Sequence, residues 1–149
     1  MKKKLAVKGG ISYGEVSLNK SEQIYFGQPI IDAYLLQEDV NFIGVVCHYT
    51  INEYMKINNL SSDINIALRF IETPLKSGYI KHLILDYYFF TLKMSDRQLD
   101  KERRLSEIKK QFEEFYTTVS GSPRRYIDNS IKLIDELVKS EVLFLGKDL

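Results

Sequence analysis

One stretch constrains this chain more than any other. It runs Lys8-Gly-Gly-Ile-Ser-Tyr-Gly-Glu-Val-Ser-Leu18, then a polar turn, then Ile24-Tyr-Phe-Gly-Gln-Pro-Ile-Ile-Asp-Ala-Tyr-Leu-Leu36. The pattern reads as strand, turn, short strand, glycine hinge and helix. Glycines at 9, 10 and 14 interrupt the first run. A glycine inside a strand marks a bulge or the close approach of another backbone or ligand. Asn19 to Glu22 reverses the chain, Gly27 ends the second strand, and Pro29 suits the first turn of a helix. Ile30, Ile31, Tyr34 and Leu35 give that helix one apolar face.

The rest of the chain fills in an α+β domain with an antiparallel-rich sheet. Its strands are expected over 4–18, 23–26, 42–47, 63–72 and 78–92, with helices over about 29–39 and 51–58. Phe42 to Cys47 is a short apolar run that reads as a strand buried on both faces. Thr50 and Glu53 have capping-box spacing for the second helix. Alternation from Ile64 to Phe70 predicts a strand, and Thr73 to Gly78 connects it to an aromatic-rich partner from Tyr79 to Leu92. The character changes at Ser95. Leu105, Ile108, Phe112, Phe115 and Val119 form a helical stripe, Ser120-Gly121 breaks it, and Ser122 with Pro123 opens another helix. Ile127, Ile131, Ile134 and Val138 are its inner stripe. A helical hairpin over 95–140 follows, packed on the sheet or on a second subunit. The division expected is 1–94 for the α/β core and 95–149 for the helical extension.

Composition narrows the functional classes. The 149 residues suffice for one domain with a real core. Basic and acidic side chains, 21 and 20, nearly cancel, so nothing demands a nucleic-acid or membrane partner. Lys2 to Lys4 is too short a basic run to bind nucleic acid alone. No apolar run has signal-peptide character or membrane-spanning length, and the expected location is the cytoplasm. Cys47, the single cysteine, reads as a buried thiol rather than a nucleophile.

Gly-Ile-Ser-Tyr-Gly-Glu at 10–15, a turn, and Tyr-Phe-Gly-Gln-Pro-Ile-Ile-Asp-Ala-Tyr at 25–34 together resemble the second half of a class III nucleotidyl cyclase domain. The likeness is greatest to the bacterial Pycsar-type enzymes of antiphage signalling, which make cyclic pyrimidine nucleotides. Val119-Ser-Gly-Ser-Pro-Arg-Arg-Tyr-Ile-Asp-Asn-Ser-Ile131 resembles a segment that follows the cyclase core in those proteins. The resemblance implies part of a ferredoxin-like cyclase sheet and a site formed between two cyclase domains. It therefore implies a homodimer or a cyclase-type partner chain.

The same resemblance implies a missing half. The family's two metal-binding aspartates precede the Gly-Ile-Ser-Tyr-Gly motif, and here only Met1 to Val7 stand before it. The expectation is a truncated or split cyclase-like chain, inactive alone. It holds no cofactor of its own, and magnesium or manganese enters only if a partner brings the aspartates. Ile31 falls where purine cyclases carry a catalytic Asn, Leu35 where they carry an Arg, and Ile24 where adenylyl cyclases carry a base-reading Asp. None of the three can hydrogen-bond a nucleotide. The alternative is a non-catalytic module that binds a nucleotide or a true cyclase.

The polar residues left on the motif are Lys8, Ser12, Tyr13, Glu15, Tyr25, Gln28 and Asp32. All but Glu15 are candidates for nucleotide contact. Glu15, Asp32 or Asp86 would have to serve as substitute metal ligands if the chain proved active. Lys8 either meets a phosphate or is a solvated charge, and Asp32 is favourable near a helix N-terminus in any case. Arg124 and Arg125 begin a helix, where they either hold an anion or pair with acidic groups of the long helix or of another subunit. Asp86 interrupts an apolar run and reads as water-facing. His48 and His82 lack metal-ligand spacing and read as polar residues at strand edges.

Overall fold

The computed structural model describes residues 7–60, 68–86 and 98–145. Its architecture is α+β, with a mixed four-stranded sheet and a separate two-stranded antiparallel hairpin. Two compact units divide the chain. Met1–Val40 and Gly44–Leu85 make the first, Asn41–Ile43 and Asp86–Leu149 the second.

The first unit runs β1 (Gly9–Ile11), β2 (Ser17–Asn19), β3 (Ile24–Phe26), α1 (Gln28–Asp39), β4 (Val45–Cys47), α2 (Tyr49–Ile57), β5 (Leu68–Leu75) and β6 (Gly78–Leu85). The large sheet has the order β1-β4-β6-β5. β1 and β4 are parallel, and the other two pairs are antiparallel. Parallel neighbours need a crossover, and α1 lies in it. Val46, Cys47, Thr73, Leu75, Leu83 and Ile84 are buried on this sheet. Burial pushes the Cys47 thiol up to about 11, as expected of an inert core cysteine.

Glycine decides how α1 sits. A Cβ at Gly10 would overlap the carbonyl oxygen of Ala33 and crowd the backbone nitrogen of Gln37. The helix thus lies directly on the β1 backbone through its smallest residue. This corrects the expected orientation. Ile30, Ile31, Tyr34 and Leu35 are exposed, Leu35 at 60%, while Ala33, Leu36 and Gln37 are half-buried and Pro29 is buried. The apolar stripe exists but faces outward. Gly27 serves a similar purpose at the helix entry, where a Cβ would stand 2.6 Å from the carbonyl oxygen of Glu15.

Other boundaries differ for identifiable reasons. The strand expected over 4–18 is two short strands, with residues 4–6 outside the described part. Between them Ser12 Oγ donates to the carbonyl of Pro29, and the Tyr13 N–H donates to Thr50 Oγ1. These groups are spent on the two helices rather than on a ladder. β5 continues through Pro74 to Leu75 where a connector was expected. It is the edge strand, which tolerates proline. The tight turn at Lys76-Ser77 is held from α1: Lys76 N–H donates to the Asp39 carbonyl at 2.7 Å, and Ser77 N–H and Oγ donate to its carboxylate at 2.9 and 2.6 Å. The strand positions expected at 63–67 and 87–92 lie outside the described residues. α2 starts at Tyr49 with His48 at its N-cap and no side-chain cap, so Thr50 and Glu53 form no capping box.

The second unit holds α3 (Gln98–Glu114), a 3-10 turn (Phe115–Thr117) and α4 (Arg124–Leu145). Positions 95–97 of the expected hairpin lie outside the described residues. Lys109 pairs with Asp135, and the Tyr116 hydroxyl donates to Asp128, so the helices run antiparallel. That bond to Asp128 raises the Tyr116 phenol above its ordinary range. Phe112, Ile127, Leu133, Ile134 and Leu137 are buried. The run 42–47 is not one strand. Asn41–Ile43 belongs to this unit, where Asn129 Nδ2 donates to the Asn41 carbonyl at 2.7 Å and Ile43 N–H donates to Ser130 Oγ at 2.8 Å. Phe42 is 2% exposed. Asp86 is 3% exposed, against the water-facing expectation. Among the described residues no helix is long and apolar enough to cross a membrane.

Candidate functional site

The carboxyl ends of the parallel pair β1 and β4 lie side by side, with Ile11 opposite Cys47. His48 N–H donates to the Ile11 carbonyl at 2.7 Å and extends that pairing by one step. Beyond this point both strands turn into other structure, β1 into the Ser12-Tyr13 loop and β4 into α2. Crevices outside the carboxyl ends of strands are where open α/β sheets bind ligands.

Four of the six nucleotide-contact candidates gather here. Gln28, in the first turn of α1, donates from Nε2 to Asp32 Oδ1 at 2.7 Å. Asp32 Oδ2 lies 3.9 Å from His48 Nδ1, with both side chains about four-fifths buried. Thr50 Oγ1 is 3.2 Å from the same ring nitrogen and accepts the Tyr13 N–H at 3.0 Å. These contacts use Nδ1 of His48, and none of them involves Nε2. Two aromatic pairs flank the cluster, each with centroids 4.3 Å apart: Tyr13 on Tyr54, and His48 on Tyr49. Tyr13 and Tyr49 are more than half exposed, so each offers ring surface to water.

His48, Thr50, Tyr49 and Tyr54 were not flagged as site residues by the sequence. The pointer was available in the junction itself, since a short buried strand running straight into a helix puts the joining residues at a strand carboxyl end.

The remaining candidates lie elsewhere. Lys8 precedes β1, whereas Ser12 follows it, and four extended residues span roughly 13 Å. Tyr25 is exposed in the β2–β3 hairpin, opposite Leu18. Glu15 is exposed in the loop after Tyr13, and Asp86 belongs to the second unit. His82 sits on β6, with Nδ1 3.4 Å from the Leu83 carbonyl. Arg124 is committed to its own unit. Its guanidinium donates to the carbonyls of Val119 at 3.1 Å and Tyr116 at 3.4 Å and lies over the Tyr116 ring. It closes the end of the preceding helical segment, as basic side chains do at exposed carbonyls. Arg125 is exposed beside it.

Among the described residues no three His, Cys, Asp or Glu side chains stand together, and Asp32 and His48 are the pair that meets at this rim. What the rim can do is hydrogen-bond and stack. It presents one carboxylate, one amide, one imidazole and two open tyrosine faces.

Family models, curated proteins and solved structures were all searched with this chain, and none matches.

Proposed function

We propose that this chain is a cyclase-like protein that binds a nucleotide at the Ser12–Tyr13–Gln28–Asp32–His48 rim without converting it to a cyclic product. The observation that carries this reading is the convergence of four motif residues with His48 and Thr50 at the carboxyl ends of β1 and β4. On this reading the chain works in the cytoplasm, within a cyclic-nucleotide antiphage system. Binding rather than turnover is favoured because Ile31 and Leu35, where the resemblance would put reacting groups, are apolar. A titration followed by NMR is the test. A ribonucleoside triphosphate is expected to shift the Tyr13, Asp32 and His48 signals, and His48→Ala to weaken binding about tenfold, the worth of one good hydrogen bond. With manganese and any of the four ribonucleoside triphosphates, no cyclic nucleotide is expected. Sustained cyclic product from a clean preparation would overturn the non-catalytic part. Absence of any shift would overturn the binding part.

A second reading, association with another copy or a cyclase-type partner, is favoured by a different observation. Leu18, Ile24, Tyr25 and Phe26 of the hairpin and Ile31, Tyr34 and Leu35 of α1 are all exposed, Phe26 at 62%. A two-stranded hairpin of three-residue strands is marginal in water by itself, and exposed apolar residues in such number suit an interaction site. Light scattering at micromolar concentration is expected to give twice the chain mass, and Tyr34→Glu with Phe26→Glu to return it to the monomer. A monomer without partners on pull-down removes this reading.

A further inference from the structure

The rim is unusual for a nucleotide site in its charge. Asp32 is the acid at its centre, and the contacts around it come from an amide, an imidazole, a hydroxyl and phenol rings. Among the described residues no lysine or arginine contacts Asp32, and Arg124 is engaged with the Val119 and Tyr116 carbonyls of its own unit. A largely buried carboxylate repels phosphate, and the repulsion strengthens as water is excluded. The same carboxylate is an acceptor only. Oδ1 accepts one hydrogen bond from Gln28 Nε2, and Oδ2 stands 3.9 Å from His48 Nδ1, beyond hydrogen-bond distance. Both oxygens therefore keep acceptor capacity, since an ionised carboxylate has about four lone-pair positions. An exocyclic amino group suits such a carboxylate, and acidic side chains accept from amino groups on bases in just this way. Tyr49, more than half exposed and stacked on the same His48 that faces Asp32, offers a ring face to carry a planar base.

We propose that the rim recognises the base and not the phosphates, and that Asp32 selects bases carrying an exocyclic amino group. The inference rests on the nucleotide reading above and narrows it to one ligand edge. The amino group donates to Asp32, and the base stacks on a tyrosine. Replacing the amino group by a carbonyl sets two acceptors against each other, which a site built to accept penalises strongly. The phosphates extend into water and add no affinity.

Matched ligands test this directly. Cytidine is compared with uridine, and adenosine with inosine, because each pair differs at the amino position. Every nucleoside is also compared with its triphosphate, using the same NMR titration on the full chain. Cytidine and adenosine are expected to bind at least tenfold tighter than uridine and inosine, and triphosphates to bind within about threefold of their nucleosides. Asp32→Asn is expected to erase the amino preference while the chain keeps its melting temperature. If triphosphates bind and nucleosides do not, the proposal is overturned and the nucleotide reading stands. Equal binding of amino and carbonyl bases overturns it in the same way. If no nucleotide or nucleoside binds, both fall together.

Discussion

Gly10→Ala is expected to destabilise the first unit by about 3 kcal/mol, at the upper end of what one inserted methyl costs in a packed site. The added Cβ meets backbone, the Ala33 carbonyl and the Gln37 nitrogen, and not the end of a flexible side chain. Relief therefore requires α1 to move off β1. That movement would draw Gln28 and Asp32 away from His48, so ligand binding should fall with stability. Gly9→Ala is the control one residue away. A Cβ there meets only Val45 Cγ2 at 3.8 Å, an ordinary contact. It should be neutral or stabilising by up to about 1 kcal/mol, because glycine in a strand gives up more freedom on folding than alanine. Thermal melts of the two variants check the pair, with a difference on the order of 10 °C expected. Equal melting temperatures would mean that α1 does not rest on the β1 backbone.

Phe42→Ala should be as severe in the second unit, about 3–5 kcal/mol, the usual cost of emptying a buried phenylalanine site. Phe42 is almost wholly buried, and the backbone on both sides of it is tied to α4 through Asn129 and Ser130. Ser130→Ala should cost less, about 1–3 kcal/mol, by removing a buried partner of the Ile43 N–H. Amide exchange along α4 is the measurement that separates these effects from damage elsewhere. Protection there should drop sharply in Phe42→Ala and modestly in Ser130→Ala. Unchanged protection in both would show that 41–43 does not support the helix.

These two positions also mark how far the sequence could be read. Gly10 was legible because a glycine within a strand asks what comes close, and the answer is the backbone of α1. The α1 helix itself was legible from Gly27, Pro29 and the 3.6-residue spacing. Its facing was not. Periodicity finds a stripe, but only the partner surface decides which side is buried, and here small Ala33 docks where a larger stripe was expected to. Phe42 was misread because apolar character continues unbroken from Phe42 to Cys47. Gly44 in the middle of that run is the sign of the break, and the chain passes from one unit to the other there. In the rim, Ser12, Tyr13, Gln28 and Asp32 stood out as polar residues on an otherwise apolar motif. His48 did not, because its role depends on β4 stopping at Cys47 and α2 starting one residue later, and Thr50 was assigned to a cap it does not make. Arg124 was legible as the start of a helix but not as the closing group of the one before. That takes the position of the Val119 and Tyr116 carbonyls.

The loan of Asn41–Ile43 to the second unit has a consequence in time. Its partners Asn129 and Ser130 come 88 and 87 residues later in the chain. At synthesis rates of roughly 5–20 residues per second, Phe42 leaves the ribosome some 4–17 s before α4 exists to receive it. Val45 to Cys47 must meanwhile find its place beside β1 with an unclaimed aromatic side chain three residues upstream. Newborn chains of this protein therefore carry a sticky interval that the finished fold conceals, and a chaperone that recognises short apolar segments has its natural opportunity there.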